Sequence, residues 1–392
     1  MKKLMIILLL FGSINIFAQE HYDPFPKIYA CNFTLINPST TGKALGITGG
    51  GADIWNQNPL DVWSNPAKLG YYEGLSMGYS HDDYLENDYD DIYFDNSYLT
   101  LGWKGIGLMV PMLNHNLQFG STFDYGMQDV YNEDAVYIGQ DDTWESSSGF
   151  ALGVNLLEFY GALQNQEEFN LLRSYTDLSI GYNYNFITSK YAGYQEVELS
   201  SIKMKAHTDG LGIIFRLSPL NESNNTNFGY INTDLVVSKY YRNLSKTNMH
   251  FHENYVPLYY SRETSAAIKL GIGVESIEGI AGSGLVTGLS FFCKDLLSVK
   301  YNVGNSHVVE EYWASGDGIE LTLLDLISFR WGSYENRKDE IDGKTSGFGM
   351  NFRYYDFVQF QYNYAEYPGS NLQDVMEVSD FMLKINLLKF FE

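Results

Sequence analysis

Gly74-Leu75-Ser76-Met77-Gly78 has the spacing of a nucleophile elbow, in which a serine on a sharp strand-to-helix turn attacks an acyl carbon. Apolar alternation continues into Tyr79, which is the period of a strand, so Ser76 is read as a wall residue. Gly343-Lys344-Thr345 ends like a phosphate-binding loop, but Lys338 stands where the earlier glycine is required and no helical pattern follows. The glycines of 46–51 lack the last glycine of a dinucleotide fingerprint, because Ile54 holds that position. His250 and His252 would put two imidazoles on one strand face beside Glu253, a donor set a metal could use. A loop or rim position without metal is the reading taken. The acidic stretch Asp82, Asp83, Glu86, Asp88, Asp90, Asp91, Asp95 and a second from Asp129 to Asp142 offer oxygen to Ca²⁺ but without EF-hand spacing, and read as solvated loops. Cys31 and Cys293 are too few for a disulfide framework or a Cys-rich zinc module, although they could pair in an oxidising compartment. No catalytic residue, metal or cofactor is expected.

The elements that hold these residues follow from composition and period. In 392 residues there are 48 Asp+Glu against 25 Lys+Arg, a formal charge of −23. That balance excludes nucleic acid as a partner, since neutralising phosphates takes clustered Lys and Arg. With 32 Tyr, 24 Phe, 37 Gly and only 9 Pro, the chain reads as many strands rather than many helices. Lys2 and Lys3 precede an apolar run from Leu4 to Phe11, and Ala18 supplies a small residue at a cut: residues 1–18 form a signal peptide. No later run of 18 apolar residues exists, so a helical membrane protein is excluded.

Side chains of a strand point alternately to two faces. Phe150, Leu152, Val154 and Leu156 alternate with Gly149, Ala151, Gly153 and Asn155. Leu178, Ile180, Tyr182, Tyr184 and Phe186 alternate with Ser179, Gly181, Asn183 and Asn185. Segments 267–274, 297–303, 347–354 and 358–364 repeat the contrast. A soluble sandwich would carry many charges on its polar face; here that face is Gly, Ser and Asn with single Lys or Arg. Apolar residues toward lipid and small polar residues toward a filled pore are the signature of a transmembrane β-barrel. Turn-like sites at Lys294-Asp295-Leu296, Leu324-Asp325-Leu326 and Tyr355-Asp356-Phe357 set their aspartates 30 and 31 residues apart, the length of one hairpin repeat. A similar turn sits at Lys104-Gly105. Polar stretches near 304–316, 333–346 and 366–377 read as long extracellular loops, with the aspartate turns periplasmic; 187–262 resists division into strands.

Ahead of the first strand stand Lys43-Ala44-Leu45-Gly46-Ile47-Thr48-Gly49-Gly50-Gly51-Ala52-Asp53 and Asp61-Val62-Trp63-Ser64-Asn65-Pro66-Ala67-Lys68-Leu69-Gly70. This resembles the start of the FadL-like outer-membrane barrels, most closely the PorV/PorQ branch, where a Gly-rich segment precedes an Asn-Pro-Ala motif and strand one. Gly318 to Gly332 and Ser346 to Met350 match in style. The third glycine and a second Asn-Pro at Asn58-Pro59 depart from the pattern. The resemblance implies an all-β, antiparallel up-and-down barrel of about 14 strands over 71–392, with 19–70 as an N-terminal periplasmic or plug segment. Its plug motif would comprise Gly49, Gly50, Gly51, Asn65, Pro66 and Ala67. A lumen of this width needs such a filler.

The location implied is the outer membrane of a diderm bacterium, with outer-membrane lipid as partner. The PorV/PorQ side implies a docking or shuttle component for type IX-like protein export, with secretion-system or secreted-protein partners. The FadL side implies passage of a hydrophobic small molecule such as a fatty acid, held in the lumen and admitted by movement around Asn65-Pro66-Ala67. A structural or adhesive surface barrel is the third reading.

Overall fold

The computed structural model describes residues 36–46, 51–83, 92–110, 113–114, 117–118, 120–131, 137–164, 172, 174–191, 202–220, 230–251, 254–273, 295–308, 312–337, 341–354, 357–369 and 375–386. An inner segment comes first, with helix α1 (Thr40–Ala44) and two 3₁₀ turns (Pro59–Ser64 and Pro66–Tyr71). The wall then runs through β1 (Gly74–Asp83), β2 (Tyr93–Trp103), β3 (Ile106–Val110), two short strands β4 (Leu113–Asn114) and β5 (Leu117–Gln118), β6 (Gly120–Tyr131) and β7 (Tyr137–Asn155). Helix α2 (Leu156–Gln164) follows, then β8 (Thr176–Tyr191), β9 (Ile202–Leu220) and β10 (Tyr230–Arg242). The hairpin β11 (Asn248–Phe251) and β12 (Asn254–Pro257) precedes β13 (Ser261–Gly273), β14 (Asp295–Val308), β15 (Tyr312–Leu323), β16 (Ile327–Asn336), β17 (Ile341–Tyr354), β18 (Val358–Pro368) and β19 (Val375–Ile385).

Neighbouring wall strands pair antiparallel, and β1 pairs with both β2 and β19, so the sheet closes. The ring β1-β2-β3-β7-β8-β9-β10-β13-β14-β15-β16-β17-β18-β19 has 14 strands, with β6 sharing the lane of β3. Closure removes the unpaired edge that an open sheet would expose to hydrocarbon. Among the described residues no helix is long and apolar enough to cross a membrane; the strands cross instead.

The alternation sorts residues as expected. Leu101, Leu152, Ile180, Ile268, Leu270, Tyr301, Ile319, Trp331, Phe352, Phe360 and Phe381 stand exposed on the outside, while Ser179, Lys300, Asn302, Arg330, Asn363 and Asp380 are buried within. Exposed apolar side chains on one face around a closed wall make a lipid-facing belt, and the chain is an outer-membrane β-barrel.

Several sequence expectations are corrected. The polar stretches at 304–316 and 333–346 are mostly wall, and half of 366–377 is: β14 runs to Val308, β15 starts at Tyr312, β16 ends at Asn336, β17 starts at Ile341, β18 ends at Pro368 and β19 starts at Val375. Outward polar residues there reflect strands that continue beyond the hydrocarbon, where the ladder still satisfies the backbone. Asp295 is not at a turn tip; it is the first residue of β14, buried, with Lys269 Nζ at 2.8 Å. The turn at Leu324-Asp325 holds, both residues having positive φ (56° and 51°), as does Lys104-Gly105 (45° and 80°). Leu156 leaves the strand and opens α2. Of the first acidic stretch, Asp82 belongs to β1 and is buried against Lys43, and Asp95 belongs to β2 and accepts from Tyr79 Oη at 3.0 Å. Asp129, Asp141 and Asp142 lie in β6 and β7 rather than in a loop. The signal peptide, Cys31, Cys293, Gly49, Gly50, His252 and Glu253 lie outside the described residues.

Replacing Ile268 by Arg should cost about 2–4 kcal/mol in vesicles, and replacing outward Asn305, beyond the belt, about 0–1. Urea titration of the folded barrel, read by heat-dependent gel mobility, measures both.

Candidate functional site

The inner segment owes its shape to two asparagines. Asn58 caps the first 3₁₀ turn, its Oδ1 accepting from the Leu60 amide at 3.1 Å, and Pro59 opens that turn. Asn65 repeats the device, accepting from the Ala67 amide at 2.9 Å with Pro66 next. Proline suits the first turn because its missing N–H would have had no partner there. The departure noted in sequence, Asn58-Pro59, is therefore a second copy of the same cap. Gly51 packs directly on Asn65: an added Cβ would stand 2.5 Å from the Asn65 Cβ. The structure thus brings Gly51, Asn65, Pro66 and Ala67 together.

Glycines decide where this segment lies. Gly74, Gly102, Gly107, Gly153, Gly181 and Gly212 pair in one continuous register across β1, β2, β3, β7, β8 and β9. A Cβ would collide with Tyr72 at Gly102, with Leu69 at Gly107, with Pro66 and Leu69 at Gly153, with Pro66 and Ala67 at Gly181, and with Asn65 at Gly212. Residues 65–72 therefore run along a bare track, backbone against backbone. Ser179 Oγ fixes them by donating to Ala67 O at 2.6 Å. Across the lumen, Gly316, Gly318, Gly332 and Gly347 receive Ala44, Leu45 and Gly46 in the same way, and Thr345 Oγ1 donates to Ala44 O at 2.7 Å.

Charges hold the rest. Glu320 takes Lys300 at 2.8 Å and Arg330 at 2.6 Å, all three buried. Lys300 also reaches Asp53 of the inner segment at 3.3 Å. Arg330 Nη1 donates to Asn363 Oδ1 at 3.0 Å, and Asn363 Nδ2 to Asp380 Oδ1 at 2.7 Å. Lys43 pairs with Asp82 of β1. Arg242 lies 3.7 Å over the Trp63 ring centre, donates to Trp63 O at 3.0 Å and to Glu263 at 3.1 Å. A cavity of about 540 Å³ at the short-turn end is lined by cations that include Arg216, Lys269, Arg353 and Lys384 and by carboxylates that include Asp177, Asp295 and Asp325. Lone inward charges in strands otherwise lined by Gly, Ser and Asn were the sequence signal for this network, but their pairing across strands was not readable.

The opposite sector holds the larger apolar clusters. Phe94, Phe123, Ile187, Met204, Met249 and Leu258 form one buried cluster, with Ile36 and Ile92 against it. Two of these come from the β11–β12 region, which folds inward; Asn243 Nδ2 ties it down through Leu258 O at 3.3 Å and Tyr259 O at 3.1 Å. Deeper in, Val62, Leu69, Tyr72, Met109 and Ala151 form a second cluster with Tyr98. Beside this second cluster a cavity of about 40 Å³ is lined by Val62, Trp63, Tyr98, Met109 and Tyr259 and by the polar Ser147, Asn183, Asn185, Thr208 and Arg242.

Two strands share one lane of the wall beside this cavity. β2 pairs with β3 through Leu99–Trp103 and with β6 through Tyr93–Ser97. β7 pairs with β3 from Ala151 and with β6 up to Ser147.

No family model and no curated protein matches the chain. Among solved structures it is similar to the toluene transporter TodX of Pseudomonas putida, at 8% identity over 91% of this chain and 98% of that one, with a TM-score of 0.39. It is similar to the toluene transporter TbuX of Ralstonia pickettii, at 12% identity over 90% and 100%, with a TM-score of 0.37. CdiB from Acinetobacter baumannii is matched at 7% identity over 80% of this chain and 60% of that one, with a TM-score of 0.38. Likenesses this distant assign no activity to the chain.

Two tests address the site. Gly107→Ala and Gly181→Ala should each cost about 1–3 kcal/mol by overpacking and loosen residues 65–72, read as faster proteolysis of the inner segment in an otherwise closed barrel. Glu320→Gln leaves Lys300 and Arg330 sharing too little negative charge and should cost about 3–5 kcal/mol, read by the urea midpoint.

Proposed function

We propose that this outer-membrane barrel is a FadL-like channel that admits hydrophobic small molecules, with residues 36–72 as its plug. The observation that carries this reading is the one-sided lumen. Apolar side chains gather on one side of the lumen in two clusters, one around Phe94 with Met249 and Leu258, the other of Val62, Leu69, Tyr72, Met109 and Ala151 against the inner segment. An oily solute gains by following apolar surface.

The charged sector repels such a solute and serves to hold the plug. The Asn65-Pro66-Ala67 motif is closely seated on the wall, against Gly181 and Gly212. On this reading it stays in place, and the solute passes beside it instead of being admitted by its movement. The docking role that the PorV/PorQ resemblance implies has no feature among the described residues that favours it over passage.

The test is uptake of radiolabelled oleate and of toluene, the solute for which two of the similar barrels are named, by a diderm host lacking its own channel. Met204→Lys and Phe94→Lys should each cut uptake at least tenfold while the amount of folded barrel stays level. Unchanged uptake in both variants, or no uptake by the parent barrel of either probe, would overturn passage and return the docking role to first place.

A further inference from the structure

Helix α2, between β7 and β8 at the short-turn end, turns an apolar face away from the barrel. Glu158 lines the lumen cavity, which fixes the direction of that position. At about 100° per residue, Leu156, Tyr160 and Leu163 all lie roughly 140–160° around the helix from Glu158. They occupy the face opposite the lumen. All three are exposed, Leu163 at 65%, Tyr160 at 44% and Leu156 at 40%. On the inner side Gly161 is buried.

The helix is held at a set height. Asn155, the last residue of β7, donates its amide to Gly105 O at 2.7 Å and accepts at Oδ1 from the Glu158 amide at 3.1 Å. Its first turn is thereby tied to the β2–β3 turn. Further apolar side chains stand exposed near it. Trp103 closes β2 above it with Lys104 over its ring at 5.5 Å, and Tyr175 leads into Leu178 and Ile180 of β8.

We infer that α2 lies in the periplasmic-leaflet interface, with the phospholipid surface as its partner. A water-facing helix at this rim would have no cause to direct Leu156, Tyr160 and Leu163 radially outward in line with the belt. An interfacial helix does, since its apolar face sinks to the boundary of headgroup and acyl chain. Trp103, Tyr160 and Tyr175 then form part of the lower aromatic girdle. The helix acts as a foot that keeps the β2–β3 turn at the membrane surface. This rests on the membrane-spanning barrel and not on what the barrel passes, so a failed uptake experiment leaves it standing.

The experiment uses the full chain carrying Cys31→Ser, Cys293→Ser and Leu163→Cys, labelled with an environment-sensitive nitrobenzoxadiazole dye. The barrel is reconstituted into vesicles of phosphatidylcholine or of phosphatidylcholine with brominated acyl chains. An Arg337→Cys label, at the long-loop end, is the aqueous reference, and a Tyr160→Cys label repeats the measurement should Leu163→Cys reduce folded yield. The label on α2 should be quenched by brominated chains at least threefold more than the reference, and by aqueous iodide at least threefold less. Equal iodide quenching at the two sites would overturn the inference. So would shielding from both quenchers, which would mean that a second copy of the chain covers this face.

Discussion

Backbone meeting backbone is the contact on which the interior depends. A strand wall normally presents Cβ atoms to whatever fills it. Here a row of paired glycines across six strands removes them, and residues 65–72 settle into the space. Close packing of this kind tolerates little change in volume on either side. It also explains why the inner segment has so little regular helix. The 3₁₀ turns after Asn58 and Asn65 are slim enough to lie along the wall, and each Asn side chain supplies the amide partner that its turn lacks.

With the inner segment fixed, the lumen divides into two unlike halves. On one side Lys300, Glu320, Arg330, Asn363 and Asp380 form a continuous chain of charge-assisted hydrogen bonds that ends on the inner segment at Asp53. Buried charges are tolerable because each has a counter-charge or an amide in reach. On the other side Phe94, Phe123, Ile187 and Met204 form an apolar cluster around a buried pair, Ser189 donating to Glu145 at 3.1 Å. The same strands are lipid-facing outside, so only the inward phase of the alternation distinguishes the two halves.

That phase was legible in the sequence, and so was the barrel. Period-two segments such as 178–186 and 358–364 gave outward and inward residues correctly, because one face meets hydrocarbon and the other does not. Loop boundaries were misjudged where Asn305, Ser333 and Lys344 suggested loops, since outward polarity marks the end of the membrane and not the end of a strand. The Asn-Pro-Ala segment stood out in sequence through its resemblance to a family pattern, while its capping by Asn65 became visible only in the fold. The track beneath it was not: Gly107, Gly153, Gly181 and Gly212 are far apart in the chain, and only strand register aligns them. The pairing of Lys300 with both Glu320 and Asp53 was hidden for the same reason.

One consequence follows from where the chain begins and ends its wall. The seam of the barrel is β1 against β19, the first and last strands, with Leu75 opposite Ile385. The inner segment immediately precedes that seam, and its bed on the glycine track leaves no clearance for threading it in through either mouth afterwards. Biogenesis must then lay the segment along β2, β3, β7, β8 and β9 while the cylinder is still an open sheet. The final hairpin zips shut over a filling that is already there.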